Sequence, residues 1–199
     1  MVSTEKIIYG LFFSIIVLSI FLVVIAQSDS FNKSSSNQEQ ISLNQNLNRD
    51  LKTDFDGGFL KATIPHQIEG LVLNGLCIEK NISEDLVKKC NESGAYEYEK
   101  MNIMKGWLNE WYNEVVDEKN ESIISEETKK DIERLYGLEG EAFTKDFIQT
   151  LIKHHNVSID LNSLCETEAT HPELRELCTE MKDKQLTDIS ELEALNKNQ

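Results

Sequence analysis

Every cysteine of this chain recurs after the same interval. Advancing the 199-residue sequence by 88 positions lays Cys77 on Cys165 and Cys90 on Cys178. The register holds without a gap around them: Phe55 falls on Phe143, Phe59 on Phe147, Ile64 on Ile152, His66 on His154, Leu73 on Leu161, Asn74 on Asn162, Leu76 on Leu164, Leu86 on Leu174 and Glu92 on Glu180. Chance matches do not usually include every member of a rare residue class. The pattern is an internal duplication, and its period, longer than the common solenoid repeats, predicts two pseudo-equivalent halves of one domain, 55–112 and 143–195. The Leu151-Ile152-Lys153-His154-His155 stretch marks the second half.

The halves read as helices. Phe55, Phe59, Thr63, His66, Gly70, Leu73 and Cys77 step by three or four, as one helix face does. Pro65 falls inside this run and should kink it without ending it. Asn81-Ile82-Ser83 is the turn, with Ser83 as N-cap. Leu86, Cys90, Glu97, Met101, Met104, Leu108 and Trp111 make the next stripe. Asp117 to Ser125 is polar and loop-like, and a short helix follows from Ser125 to near Gly137. In the second half, Phe143, Phe147, Leu151, His154, Ser158, Leu161 and Cys165 make one stripe. The turn is Glu168 to Pro172, and Leu174, Cys178, Met181, Gln185, Ile189, Leu192 and Leu195 make the last stripe. Two hairpins, each with one apolar face, predict an all-α four-helix bundle over residues 55–199.

Upstream the composition changes. Ile7 to Ala26 carries no charge, and a helix of that length rises ~30 Å, the thickness of a bilayer's hydrocarbon core. Residues 1–26 read as a transmembrane anchor in preference to a cleaved signal, although Val24 and Ala26 before Gln27 resemble a cleavage site. Residues 27–54, rich in Ser, Asn and Gln, read as a flexible tether with a reach of ~30 Å. The expected location is the cell membrane, single-pass, with the C-terminal domain outside the cytoplasm; secretion after signal cleavage is the alternative. The net charge of −15 lies after the apolar segment and repels nucleic acid. The membrane is thus one expected partner, nucleic acid is excluded, and no protein partner is indicated.

Each pair of cysteines lies thirteen residues apart with a turn midway. Residues equidistant from a hairpin turn sit at the same height on facing helices, so the expected bridges are Cys77–Cys90 and Cys165–Cys178, with two pairs of buried free thiols as the alternative. No Cys-x-x-Cys spacing supports a zinc site. Of the five Asn-x-Ser sequences, at Asn32, Asn81, Asn91, Asn120 and Asn156, the last follows the histidines on a helix expected to be packed, and should be a poor glycan acceptor.

Polar residues on the apolar stripes are the candidate site. His66 lies eleven residues before its cysteine, and Glu97, Met101 and Met104 lie on the partner stripe, so the first hairpin would gather these four. The second would gather His154, Gln185 and Asp188, with His155 turned about 100° away. Imidazole and thioether are copper ligands, and thioether favours Cu(I), which makes the first hairpin the better place for a metal. A histidine hydrogen-bonded to a facing glutamate or glutamine also satisfies itself as core packing, without any metal.

These residues resemble the ferritin-like family of the domain of unknown function 305. Its pattern Met-Ile-x-His-His stands here as Leu151-Ile152-Lys153-His154-His155, followed by Ser158 and Leu161. Its Gln-x-x-Glu-Ile-x-x-Met stands as Gln185-Leu186-Thr187-Asp188-Ile189, ending on Leu192. Phe143 to Phe147 and His171 to Leu174 also look like the family. In the first half, Ile64-Pro65-His66 carries Gln67 in place of the second histidine, while Met104 and Trp107 match the family's Met and Trp. The resemblance implies a ferritin-like bundle with duplicated hairpins and, from some members, copper or silver handling outside the cytoplasm. Three function classes follow: a metal-binding or metal-buffering protein, a structural or interaction module without metal, and a di-iron oxidoreductase. The last needs a Glu-x-x-His on each of two helices, and the only one here, Glu168 to His171, sits in a turn. No nucleophile elbow, phosphate loop or dinucleotide fingerprint is present, so the expectation is a non-enzyme.

Overall fold

Five α-helices follow one another in the computed structural model, which describes residues 54–197: α1 (Phe55–Lys80), α2 (Glu84–Tyr112), α3 (Glu126–Tyr136), α4 (Gly140–Glu168) and α5 (Pro172–Lys197), with a 3-10 turn at Glu121–Ile123. No strand occurs among the described residues. The sequence signals act where they stand. α1 runs through Pro65, which forfeits one backbone hydrogen bond, and ends at Asn81, whose left-handed backbone (φ 48°) returns its N–H to the Cys77 carbonyl. Ser83 accepts from the Leu86 N–H at the start of α2, and Asn113 (φ 53°) closes that helix as Asn81 closes α1. Ser125 caps α3 through the Thr128 N–H, and Pro172 opens α5, where its missing N–H costs nothing.

α1 packs on α2, and α4 on α5, as two antiparallel hairpins. Cys77–Cys90 and Cys165–Cys178 are both bridged, with Cα–Cα distances of 6.4 and 6.0 Å. Each closes a short loop, which is worth roughly 3 kcal/mol by loop entropy. The hairpins lie head to tail. At one end Lys80 Nζ, beside the first turn, donates to the Tyr136 and Leu138 carbonyls and pairs with Glu139 just before α4. At the other end Asp56, buried in the first turn of α1, accepts from the Thr170 N–H (2.8 Å), the His171 N–H (2.9 Å) and the Thr170 hydroxyl (2.6 Å). It thereby caps the start of α5 from the opposite hairpin. His171 Nδ1 lies 2.5 Å from the same carboxylate, and the imidazole stacks on Trp111 at 3.8 Å.

The expectation of a single apolar face fails for α1. Leu71, Leu73 and Leu76 are all buried along with Phe59, Ile64 and Ile68, so the helix is covered on most of its circumference. The connector supplies the cover: α3 packs on both α1 and α4 and contributes Ile132 and Leu135, while Ile124 plugs the core just before it. A helix that is apolar nearly all round must be central. Asn156 lies on the exposed face of the packed α4, with its side chain donating to the Ile152 carbonyl. None of the described helices is long and apolar enough to cross a membrane. The expected anchor and all of the expected tether but Asp54 lie outside the described residues.

Candidate metal centre

Head-to-tail packing of two equivalent hairpins relates them by an approximate two-fold axis, and a residue near such an axis meets its own counterpart. His66, midway along α1, and His154, midway along α4, do so. Their rings stack with centroids 4.0 Å apart and planes 18° from parallel. The two histidines expected in separate groupings, one in each hairpin, therefore meet each other between the hairpins. Periodicity places a residue on a face but does not say which helix that face meets.

Glu69, one turn beyond His66, joins the cluster. Its Oε2 lies 3.6 Å from His66 Nδ1, and its Oε1 accepts the Ser125 backbone N–H at 2.7 Å. Burial opposes its ionisation, but the bonds from His66 and Ser125 prevail and hold the carboxyl below its ordinary range. His66, Glu69 and His154 each offer a ligand atom within 4.8 Å of the others. Burial, helped by the neighbouring His66 and His155, holds His154 well below the usual imidazole range, so at neutral pH it is uncharged with a lone pair available.

Glu97 approaches from α2. Asn74 Nδ2 donates to its Oε2 at 2.9 Å, while its Oε1 is buried with no hydrogen-bond partner. Burial pushes this carboxyl up to about 8, with Asp188 adding to the rise and Asn74 and Lys184 opposing it. Glu97 and His154 meet over Gly70: a Cβ there would lie 2.7 Å from Glu97 Oε2 and 2.8 Å from His154 Nε2. The missing side chain is what lets a carboxylate from one hairpin and an imidazole from the other share this space.

The remaining expected ligands are placed differently. Asp188 is paired with Lys89 and Lys184 and accepts from the Ser93 hydroxyl at 3.2 Å, so it fastens α5 to α2. Burial resists its ionisation, but the two lysines prevail and lower it. Its electrostatic neighbour is His155, not His154. His155 is almost fully buried, and burial pushes it down to about 4. Its ring is tilted 58° from that of His154 at 6.0 Å, the divergence expected of adjacent helical residues. Gln185 is buried with its Oε1 unpartnered, and Met101 and Met104 belong to the buried apolar core. Glu69 and Gly70 were not among the expected site residues. The His66-x-x-Glu69 spacing, which puts both groups on one helix face, was the available signal for the first.

The donors suit a metal ion. His66 Nε2 is buried and unpartnered, His154 is neutral, and two carboxyls flank the imidazoles. Metal–imidazole bonds are about 2 Å long, so one ion spans donors about 4 Å apart, close to the 4.8 Å within which the ligand atoms of His66, Glu69 and His154 lie. Two imidazoles with carboxylate oxygen suit copper(II), zinc or iron better than a sulfur-seeking ion.

The fold recurs in solved structures of CopM. The Ag-bound form obtained by soaking matches with a TM-score of 0.62 at 19% identity, covering 72% of this chain and 95% of that one. The Cu(I)-bound form matches at 0.61 and 18%, and the Cu(II)-bound form at 0.61 and 17%, each covering 72% of this chain and 96% of the other. No curated protein matches in sequence. Residues 56–196 match the domain of unknown function DUF305, and the chain belongs to that family.

Proposed function

We propose that the chain is a non-catalytic metal-binding module of ferritin-like kind that takes one copper ion between His66 and His154. Glu69 and Glu97 flank the ion, and the ion joins the two hairpins. On this reading residues 7–26 anchor the module in the cell membrane, and residues 27–54 hold it off the surface outside the cytoplasm. The observation that carries the reading is the pair of stacked imidazoles between the two hairpins, with the buried His66 Nε2 left without a partner. Leaving such a group unsatisfied costs about 1–3 kcal/mol, and a bound ion removes that cost. The CopM structures with copper and silver lend support, as proteins of like fold.

The test is metal analysis of the purified exported part, with titrations of Cu(II) and, under reducing conditions, Cu(I). One equivalent should bind, and His66→Ala and His154→Ala should each abolish it, because both rings serve one ion. Loss in only one variant would restore separate sites in the two hairpins. Failure of the parent protein to bind copper would favour a structural module whose polar core groups serve packing.

A further inference from the structure

We propose that Glu69 is a positioning residue and not a metal ligand: it holds His66 with Nε2 free for the ion, and its second oxygen ties that histidine to Ser125 in the connector. The proposal deepens the metal reading above and rests on it. Both oxygens of Glu69 are already directed elsewhere. Oε1 takes the Ser125 N–H at 2.7 Å, and Oε2 faces His66 Nδ1 at 3.6 Å, an ion-pair contact just beyond hydrogen-bond length. An imidazole with its Nδ1 proton turned to a carboxylate presents a bare lone pair at Nε2, and in His66 that is the buried, unpartnered atom. With Nε2 given to an ion, the Nδ1 proton would be held by Glu69, which fixes the ring orientation. The oxygen that completes the site comes instead from Glu97, whose Oε1 is buried and uncommitted and whose carboxyl group, which would give up its proton on ligation, lies with His154 Nε2 over Gly70.

Ser125 carries the contact outward. Its side chain caps α3 through the Thr128 N–H at 3.2 Å, and the preceding Ile124 is buried in the core. Occupancy of the buried site is thus linked through Glu69 to the position of the connector and the start of α3. The link exists on one side only, since the counterpart of Glu69 in the second half is Val157, 47% exposed.

Three measurements test this, with Cu(II) as the probe. In the metal-free protein, nitrogen-15 spectra should show His66 protonated at Nδ1 and bare at Nε2; the reverse tautomer would overturn the proposal whether or not metal binds. Glu69→Gln should weaken Cu(II) binding about tenfold to a hundredfold, as loss of a group that orients a ligand does, while the Cu(II) paramagnetic resonance spectrum stays as in the parent. A changed spectrum would make Glu69 a ligand and refute the assignment. Ser125→Pro removes the N–H at a residue whose φ of −63° already suits proline, after an extended Ile124. It should reproduce the loss seen in Glu69→Gln. Ser125→Ala, which keeps the N–H and removes only the cap, should bind as the parent does. Equal affinity in the two Ser125 variants would sever the link to the connector. If the parent takes up no Cu(II), the metal reading fails, and the His66 tautomer alone still decides the role of Glu69.

Discussion

The two hairpins share their skeleton and differ around it. Both keep the disulfide, the central histidine and the buried asparagine three residues before the first cysteine (Asn74, Asn162). They part where the hairpins meet or where only one is covered. Gly70 answers to Ser158, Glu97 to Gln185, Gln67 to His155, and Met101 and Met104 to Ile189 and Leu192. Leu76 is buried while its counterpart Leu164 is 45% exposed. Duplication supplied two equal frames. Packing across the axis then left room for one central site, and the residues around it diverged to make that site asymmetric.

The comparison is most sharply broken at the leucine pair. Leu76→Ala should cost about 2–5 kcal/mol, as truncation of a buried leucine does, while Leu164→Ala should fall within about 0.5 kcal/mol of the parent. Urea unfolding of the two variants measures both. Similar losses would mean that the outer face of α4 is covered as α1 is.

Next in size is Gly70→Ser, which copies the second half into the first. Ser158 fits its own place, accepting from Asn162 Nδ2 at 3.3 Å, but at position 70 a Cβ meets the Glu97 carboxylate and the rigid His154 ring. Destabilisation of about 1–3 kcal/mol is expected, with loss of copper uptake. Unchanged stability and copper uptake would show that the space over Gly70 is not shared by the two hairpins.

These contrasts also mark what the sequence made legible. Helix period, turn residues and cysteine spacing are local quantities, so the two hairpins, Ser83, Ser125 and both bridges could be read directly. The packing of one hairpin on the other is not local. His66 and His154 were identified as site residues, yet their contact depends on a symmetry axis that no stripe reveals. Asp188 stood on the expected face, but of the two lysines that satisfy it only Lys184, one turn away on the same helix, is connected to it by periodicity; Lys89 reaches it from the other hairpin. The burial of α1 depends on a connector whose short helix could be read, while its docking against α1 and α4 could not.

Glu97 and Gln185 offer a pH test. The Glu97 carboxyl is raised from 4.5 to about 8, so between these values the folded state keeps a proton that the unfolded chain has released. Its contribution is fully present below about pH 4.5 and is lost as pH rises towards 8, at about 1.4 kcal/mol per pH unit. His155 is lowered from 6.5 to about 4, and His154 is lowered as well, so these two act oppositely and withdraw stability as pH falls below 6.5. Above 6.5 only Glu97 of the three still acts. The metal-free protein should therefore lose about 2 kcal/mol between pH 6.5 and 8, and Glu97→Gln should be flat there. Parallel slopes in denaturant titrations of the two proteins would remove the buried acid from the account.

The smallest effect belongs to the methionines. Met101 and Met104 were expected to supply thioethers to a Cu(I) site in the first hairpin. Their counterparts Ile189 and Leu192 show that the frame accepts branched aliphatic groups at the same heights. Both methionines are buried in the apolar core, where a Met→Leu exchange keeps the volume and costs under about 1.5 kcal/mol. The cluster on the axis offers nitrogen and oxygen donors, so the Met101→Leu/Met104→Leu protein should bind Cu(II) with the parent's affinity. Under reducing conditions the same protein separates the two sites that thioether chemistry would distinguish. Retained Cu(I) binding assigns both oxidation states to His66 and His154. Selective loss of Cu(I), with Cu(II) binding intact, would place a second, sulfur-lined site in the first hairpin, where the second hairpin has only carbon to offer.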